Sequence, residues 1–133
     1  MKHENPYKES MRYIENAKTT LKQTGKDDKF YKDVKYLHTV CGTAYIGMLK
    51  ALDFLFEIKK IPKRRGKKSI EYYQKNLSKL DKKLLNHLNN GYRLLHIEGY
   101  YEGITNIKAI DAGFDDAISI IEAIKPYSNN GAE

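Results

Sequence analysis

The sequence predicts an all-α protein, an antiparallel up-and-down four-helix bundle with one additional short helix before the last. Three observations predict it. Apolar residues recur at steps of three and four in four long stretches. The three prolines, Pro6, Pro62 and Pro126, fall where helices would begin or end, and no alternating strand pattern competes.

Asn5-Pro6 reads as an N-cap followed by proline at the first helical position. Tyr7, Met11, Ile14, Ala17 and Leu21 then form one stripe, so a first helix is expected over about residues 6 to 24, closed by a left-handed Gly25. Asp27 and Asp28 would open the second helix with negative charge at the positive end of its dipole. That helix is apolar on two sides. One stripe is Phe30, Val34, Leu37, Cys41, Ala44, Met48, Leu52 and Leu55; the other is Val40, Ala44, Gly47, Ala51, Phe54 and Ile58. It should therefore be the most buried element, and Gly42, Ala44, Gly47 and Ala51 would let a neighbour approach closely.

Pro62 and Gly66 close the second helix. Ser69 caps a third, with Ile70, Tyr73, Leu77, Leu80, Leu84 and Leu88 on one face and lysines on the other, before Asn89-Asn90-Gly91 breaks the chain. A short piece from Tyr92 to Tyr101 ends near Gly103. The last helix carries Ile107, Ile110, Phe114, Ala117, Ile121 and Ile124 and stops at Pro126. The whole reads as a single domain over residues 1–127, with 128–133 a disordered tail.

Hydrophobic residues make up 41% of the 133 and charged residues 31%, a globular balance rather than a disordered one. No unbroken apolar run approaches the ~18 residues of a membrane span, and the N-terminus lacks the apolar stretch of a signal peptide. One cysteine, Cys41, leaves no internal disulfide and suits the reducing cytoplasm. The formal charge is +7 and unevenly spread. Residues 90–133 carry three basic and seven acidic side chains, a net of −4, which leaves +11 on residues 1–89. The peak is a loop holding Lys59, Lys60, Lys63, Arg64, Arg65, Lys67 and Lys68, which can attract RNA or another polyanion or can be a solvated turn.

No cofactor or metal motif emerges. No glutamate has a histidine three residues on, which a carboxylate-bridged di-metal bundle requires. His38 and Cys41 lie one turn apart without a second pair, and read better as core residues than as ligands. Gly66-Lys67-Lys68-Ser69 lacks both the leading glycine and the preceding strand of a phosphate loop. Asp53 and Glu57 share a helical face, as paired carboxylates or simply a polar stripe.

Chemistry concentrates between Gly91 and Gly103, where Arg93, His96, Glu98, Glu102, Tyr92, Tyr100 and Tyr101 share one short segment. At α-helical spacing Arg93 and His96 reach the same point: arginine to hold a phosphate, histidine to move a proton, with tyrosines to stack bases. The bland alternative packs Tyr92, Leu95, Gly99 and Tyr100 on the bundle and pairs Arg93 with Glu98 or Glu102.

The order of elements, a bundle with a basic middle, then Arg-Leu-Leu-His with tyrosines, then one last helix, resembles the HEPN superfamily of small α-helical domains. Many of those are dimeric toxin ribonucleases or partners of nucleotidyltransferases. The resemblance would make His96 the catalytic histidine and Arg93 the phosphate holder of a metal-independent ribonuclease. The family's arginine precedes its histidine by a longer gap, which falls on Asn89, Asn90 or Gly91, and Glu98 stands where a tyrosine is usual. That departure favours a member that has lost cleavage. In overall texture the chain is also similar to uncharacterised bacterial helical-bundle proteins of Bacteroides type. The leading expectation is a non-enzymatic interaction domain that self-associates as a homodimer or binds a protein partner, through the small-residue face of the second helix or leftover apolar surface. The alternative is a HEPN-like RNA-binding protein or ribonuclease using Arg93, His96 and the basic loop.

Overall fold

The structure, a computed structural model, describes residues 5–63, 66 and 68–128. It is all-α save for one tiny hairpin. In chain order the elements are α1 (Pro6–Leu21), β1 (Lys26–Asp27), β2 (Phe30–Tyr31), α2 (Val34–Ile58), α3 (Ile70–Leu80), α4 (Lys82–Gly91), a π-helix (Tyr92–Tyr101), α5 (Ile107–Ala123) and a single turn, α6 (Lys125–Ser128).

Asn5 caps α1 by accepting from the Lys8 amide at 3.1 Å. The helix stops at Leu21, short of the expected residue 24, because the Thr20 and Leu21 carbonyls are taken up in a turn by the amides of Gln23 and Thr24. Gly25 is not left-handed; its carbonyl instead accepts from the Lys32 amide at 2.7 Å. The second helix likewise starts later than expected. Residues 26–31 form an antiparallel pair, Lys26 opposite Tyr31 and Asp27 opposite Phe30, around a turn with Asp28 at φ 60°. The hairpin is tied to the start of α5 by the Tyr31 amide on the Thr105 carbonyl and the Ile107 amide on the Lys29 carbonyl.

α2 is central. It packs against α1, the π-helix and α5, and the middle of both stripes is buried, from Leu37 and Val40 through Met48 to Leu52 and Leu55, whereas Val34 and Ile58 at its ends are exposed and Phe30 lies outside the helix on the hairpin. By length and composition α2 could cross a membrane, yet 56% of its most apolar window is buried inside the fold. α1 and the π-helix run antiparallel to it, Ser10 and Tyr13 of α1 meeting Gly47 while Gly91 meets Met48 and Gly103 meets Val34 and His38, whereas α5 starts beside the hairpin that leads into α2 and runs parallel to it. A β-carbon at Gly47 would stand 2.7 Å from that of Tyr13 and 3.1 Å from the Ser10 carbonyl oxygen. The small-residue face is thus consumed inside the chain rather than left for a second copy.

The expected third helix is two. Its break falls at Asp81 and not at Asn89-Asn90-Gly91, because the Asp81 carboxylate accepts from the Lys83 and Leu84 amides and caps a new helix. Gly91 stays helical and lies under Met48, whose sulfur a β-carbon there would approach to 2.8 Å. Pro126 sits inside α6 rather than simply ending α5. Ser128, assigned to the tail by the sequence, is buried, and its carbonyl accepts from Asn5 Nδ2 at 3.0 Å. The remaining tail, 129–133, lies outside the described residues.

An aromatic stack on a π-helix as candidate functional site

Tyr92–Tyr101 forms a ten-residue π-helix that continues α4 without a break. Such helices are rare and usually a single turn, and they cluster at functional sites. The i→i+5 ladder widens each turn, so side chains four and five apart share a face in place of those three and four apart. Two consequences are visible. Tyr92, His96 and Tyr100, four apart, line up as one column of rings. Arg93 meets Glu98, five residues on, at 3.1 Å.

His96 is the hub of that column. Its ring lies 4.6 Å from Tyr45 of α2 at 20°, 5.9 Å from Tyr100 at 7°, and 5.4 Å from Tyr92 at 31°. Tyr101 closes edge-on at 5.0 Å and 71°. Desolvation among these rings lowers the His96 pKa below its ordinary value. Burial, with Tyr92 nearby, raises that of Tyr45.

The floor under the rings is built from small residues. Gly42 lies beneath Tyr100, so that a β-carbon there would come within 3.0 Å of the ring. Gly99 sits directly on Cys41. The carbonyl of Tyr100 is held by His38 Nδ1. The rim stays open: Tyr101 is 65% exposed, Tyr100 44%, and Ile46, one turn beyond Gly42, 48%.

The other residues singled out by the sequence lie elsewhere. Lys59 extends over the Tyr127 ring at 5.3 Å. Lys60 takes φ 58° as the α2 terminus closes, the Ile61 amide bonding back to the Phe56 carbonyl. Lys68 pairs with Asp53 at 3.0 Å, and Lys63 lines the groove beside them. Arg64, Arg65 and Lys67 lie outside the described residues. Lys59 follows Tyr45 by fourteen residues, about 21 Å at ~1.5 Å per residue, so this segment sits well away from the stack. Asp53 accepts from both Lys68 and the buried Tyr73 hydroxyl, whereas Glu57 is exposed. His38 and Cys41 face different neighbours, and among the described residues no three metal-binding side chains gather.

Sequence reasoning expected a close approach at Gly42 but missed Tyr45 and the Gly99–Cys41 contact. The available signal was Tyr92, His96 and Tyr100 at a strict four-residue interval. It also missed His87 of α4 bonded to Asp116 of α5 at 2.9 Å, a pair 29 residues apart in the chain.

An all-α chain presenting an aromatic π-helix on its central helix is the class that the fold and the site define. Residues 5–126 match the family profile described as Domain of unknown function (DUF5618). The chain belongs to that family. It is similar to a solved protein of unknown function from Dyadobacter fermentans, 35% identical, with a TM-score of 0.81 over 92% of this chain and 94% of that one. No curated protein matches it.

Proposed function

We propose that this protein is a non-enzymatic helical interaction domain, an up-and-down bundle that self-associates through the aromatic face of its π-helix. One observation carries the reading: Tyr100 and Tyr101 stand exposed in contact with each other, 5.2 Å between ring centres, on a floor of close-packed small residues. Exposed aromatic rings on a rigid base supply large contact area at little entropic cost and are typical anchors of protein interfaces. Ile46 on one side, and Val34 near Gly103 on the other, extend the apolar strip along α2. Around it Arg93, Lys35, Glu98 and Glu102 mix both signs, so a two-fold contact would set base against acid. The test is analytical ultracentrifugation of wild type and a Tyr100→Ser, Tyr101→Ser double variant. A concentration-dependent dimer that becomes monomeric in the variant supports the reading. A wild type that stays monomeric at high micromolar concentration rejects it.

A HEPN-like RNA-binding protein or ribonuclease is the second reading. It draws support from His96, an imidazole kept neutral by its surroundings and flanked by exposed rings on which bases could stack. Against it stand the engagement of Arg93 by Glu98 and the distance of the basic segment from the stack. Incubating labelled RNA with metal-free protein and with His96→Ala decides it: cleavage by wild type alone would establish the nuclease.

A further inference from the structure

A second feature, away from the π-helix, is a cleft of about 790 Å³ between the end of α1, the hairpin and α5. This volume is in the range of small-molecule sites. One wall carries Lys18 and Lys22, one turn apart, with Lys26 beyond them. The facing wall carries Asp111 and Asp115, also one turn apart on α5. Among the described residues no ion pair joins either aspartate to any of these lysines, although both signs line the same cleft. Leu21 and Phe114 give the cleft apolar surface between the two rails.

Tyr31 adds an independent sign. It is only 4% exposed, yet among the described residues its hydroxyl has no hydrogen-bond partner. No fully buried side-chain oxygen among the described residues lacks a partner, so this hydroxyl keeps its small exposure, and the residue lines the cleft. A tyrosine buried to this degree normally satisfies its hydroxyl within the fold. Burial and the nearby Asp111 carboxylate raise its pKa, which keeps the hydroxyl protonated and able to donate.

We infer that this cleft binds a small zwitterion with an apolar body, of amino-acid to short-peptide size. Its carboxylate would sit among Lys18, Lys22 and Lys26, and its ammonium between Asp111 and Asp115. The apolar body would lie against Leu21 and Phe114, and the Tyr31 hydroxyl would donate to the carboxylate or to the peptide carbonyl. Rails of full and opposite charge favour a ligand with two full charges over one with a single charged end.

The probe is the free dipeptide phenylalanyl-leucine, titrated into the full chain by calorimetry and by amide chemical shifts. Its N-acetylated and C-amidated forms serve as comparisons. Saturable binding, with shifts centred on Tyr31, Asp111 and Asp115, is expected, and each cap should weaken it about tenfold, the equivalent of ~1.4 kcal/mol. The Asp111→Asn, Asp115→Asn variant changes only exposed side chains and should lose its discrimination between free and acetylated peptide. Lys18→Gln, Lys22→Gln should likewise lose discrimination against the amide. Absence of saturable binding, equal affinity for capped and free peptide, or shifts centred elsewhere would overturn the inference.

Discussion

Gly99 of the π-helix rests on Cys41 of α2 so closely that a β-carbon at Gly99 would stand 2.5 Å from the cysteine sulfur and 2.6 Å from its β-carbon. Both positions are buried in the helix–helix seam. The contact fixes how near the π-helix lies to α2, and with that the height at which His96 meets Tyr45.

Gly99→Ala is therefore expected to destabilise the fold by about 2 kcal/mol, the usual cost of overpacking a core seam. Cys41→Ala in the same chain should return part of that loss, since it removes the sulfur and leaves the β-carbon. Urea denaturation of the two single variants and the double variant checks the coupling. Simple additivity would mean that the two residues do not press on one another.

Cys41 itself should be inert in the native state. Burial pushes its thiol pKa up to about 12, and no thiolate is available at neutral pH. A thiol reagent such as dithionitrobenzoate should react with the protein only after unfolding. Rapid stoichiometric labelling of native protein would show that the seam opens.

Acidification should weaken the fold through His96. Its folded pKa lies below the ordinary value of 6.5, so as pH drops through about that value the unfolded chain takes up the proton first. Stability is then complete above this range and is lost as pH falls towards the folded pKa. His96→Phe keeps a ring in the stack and removes the titration. Melting temperatures from pH 7.5 to 5 should fall more steeply for wild type than for this variant, and parallel curves would contradict the assignment.

Lys60 occupies a left-handed conformation that suits glycine. Lys60→Gly should stabilise the chain by about 1 kcal/mol while removing a charge from the basic segment. Thermal denaturation would show it; a loss of stability would mean that the lysine side chain holds the turn in another way.

Asp53 holds two partners, the Tyr73 hydroxyl at 2.8 Å and Lys68 at 3.0 Å. Asp53→Ala leaves the hydroxyl of the largely buried Tyr73 without its acceptor, and a loss of ~1–3 kcal/mol is expected in chemical denaturation. Lys68→Ala removes only the more exposed partner and should cost less than 1 kcal/mol.

The all-α class was legible because helical periodicity is strong in each long element and α2 is apolar on two sides, from Val40 to Ile58. The caps at Asn5 and Ser69 were readable for the same local reason. What escaped were features whose causes lie outside the local window. Strands of two residues have no period to detect, and this hairpin is held by Thr105 and Asn106, some 75 positions away. Asp81 resembles any polar residue of a helix until its carboxylate is seen capping the next turn. At the candidate site the composition was readable, but the α-helical period applied to it was the wrong one. Arg93 and His96 converge at that period and separate on the wider ladder, where each takes partners four or five residues along or on α2.

A turn of π-helix closes over one residue more than a turn of α-helix. The aromatic surface therefore depends on chain length as much as on the residues that compose it. Removing one codon between Tyr92 and Tyr101 would let the segment relax to the ordinary helix with its hydrogen bonding intact. Every ring beyond the deletion would then rotate off the column, and Gly99 would leave its seat on Cys41. A single-residue deletion in this segment can therefore dismantle the surface without replacing any of the rings that compose it.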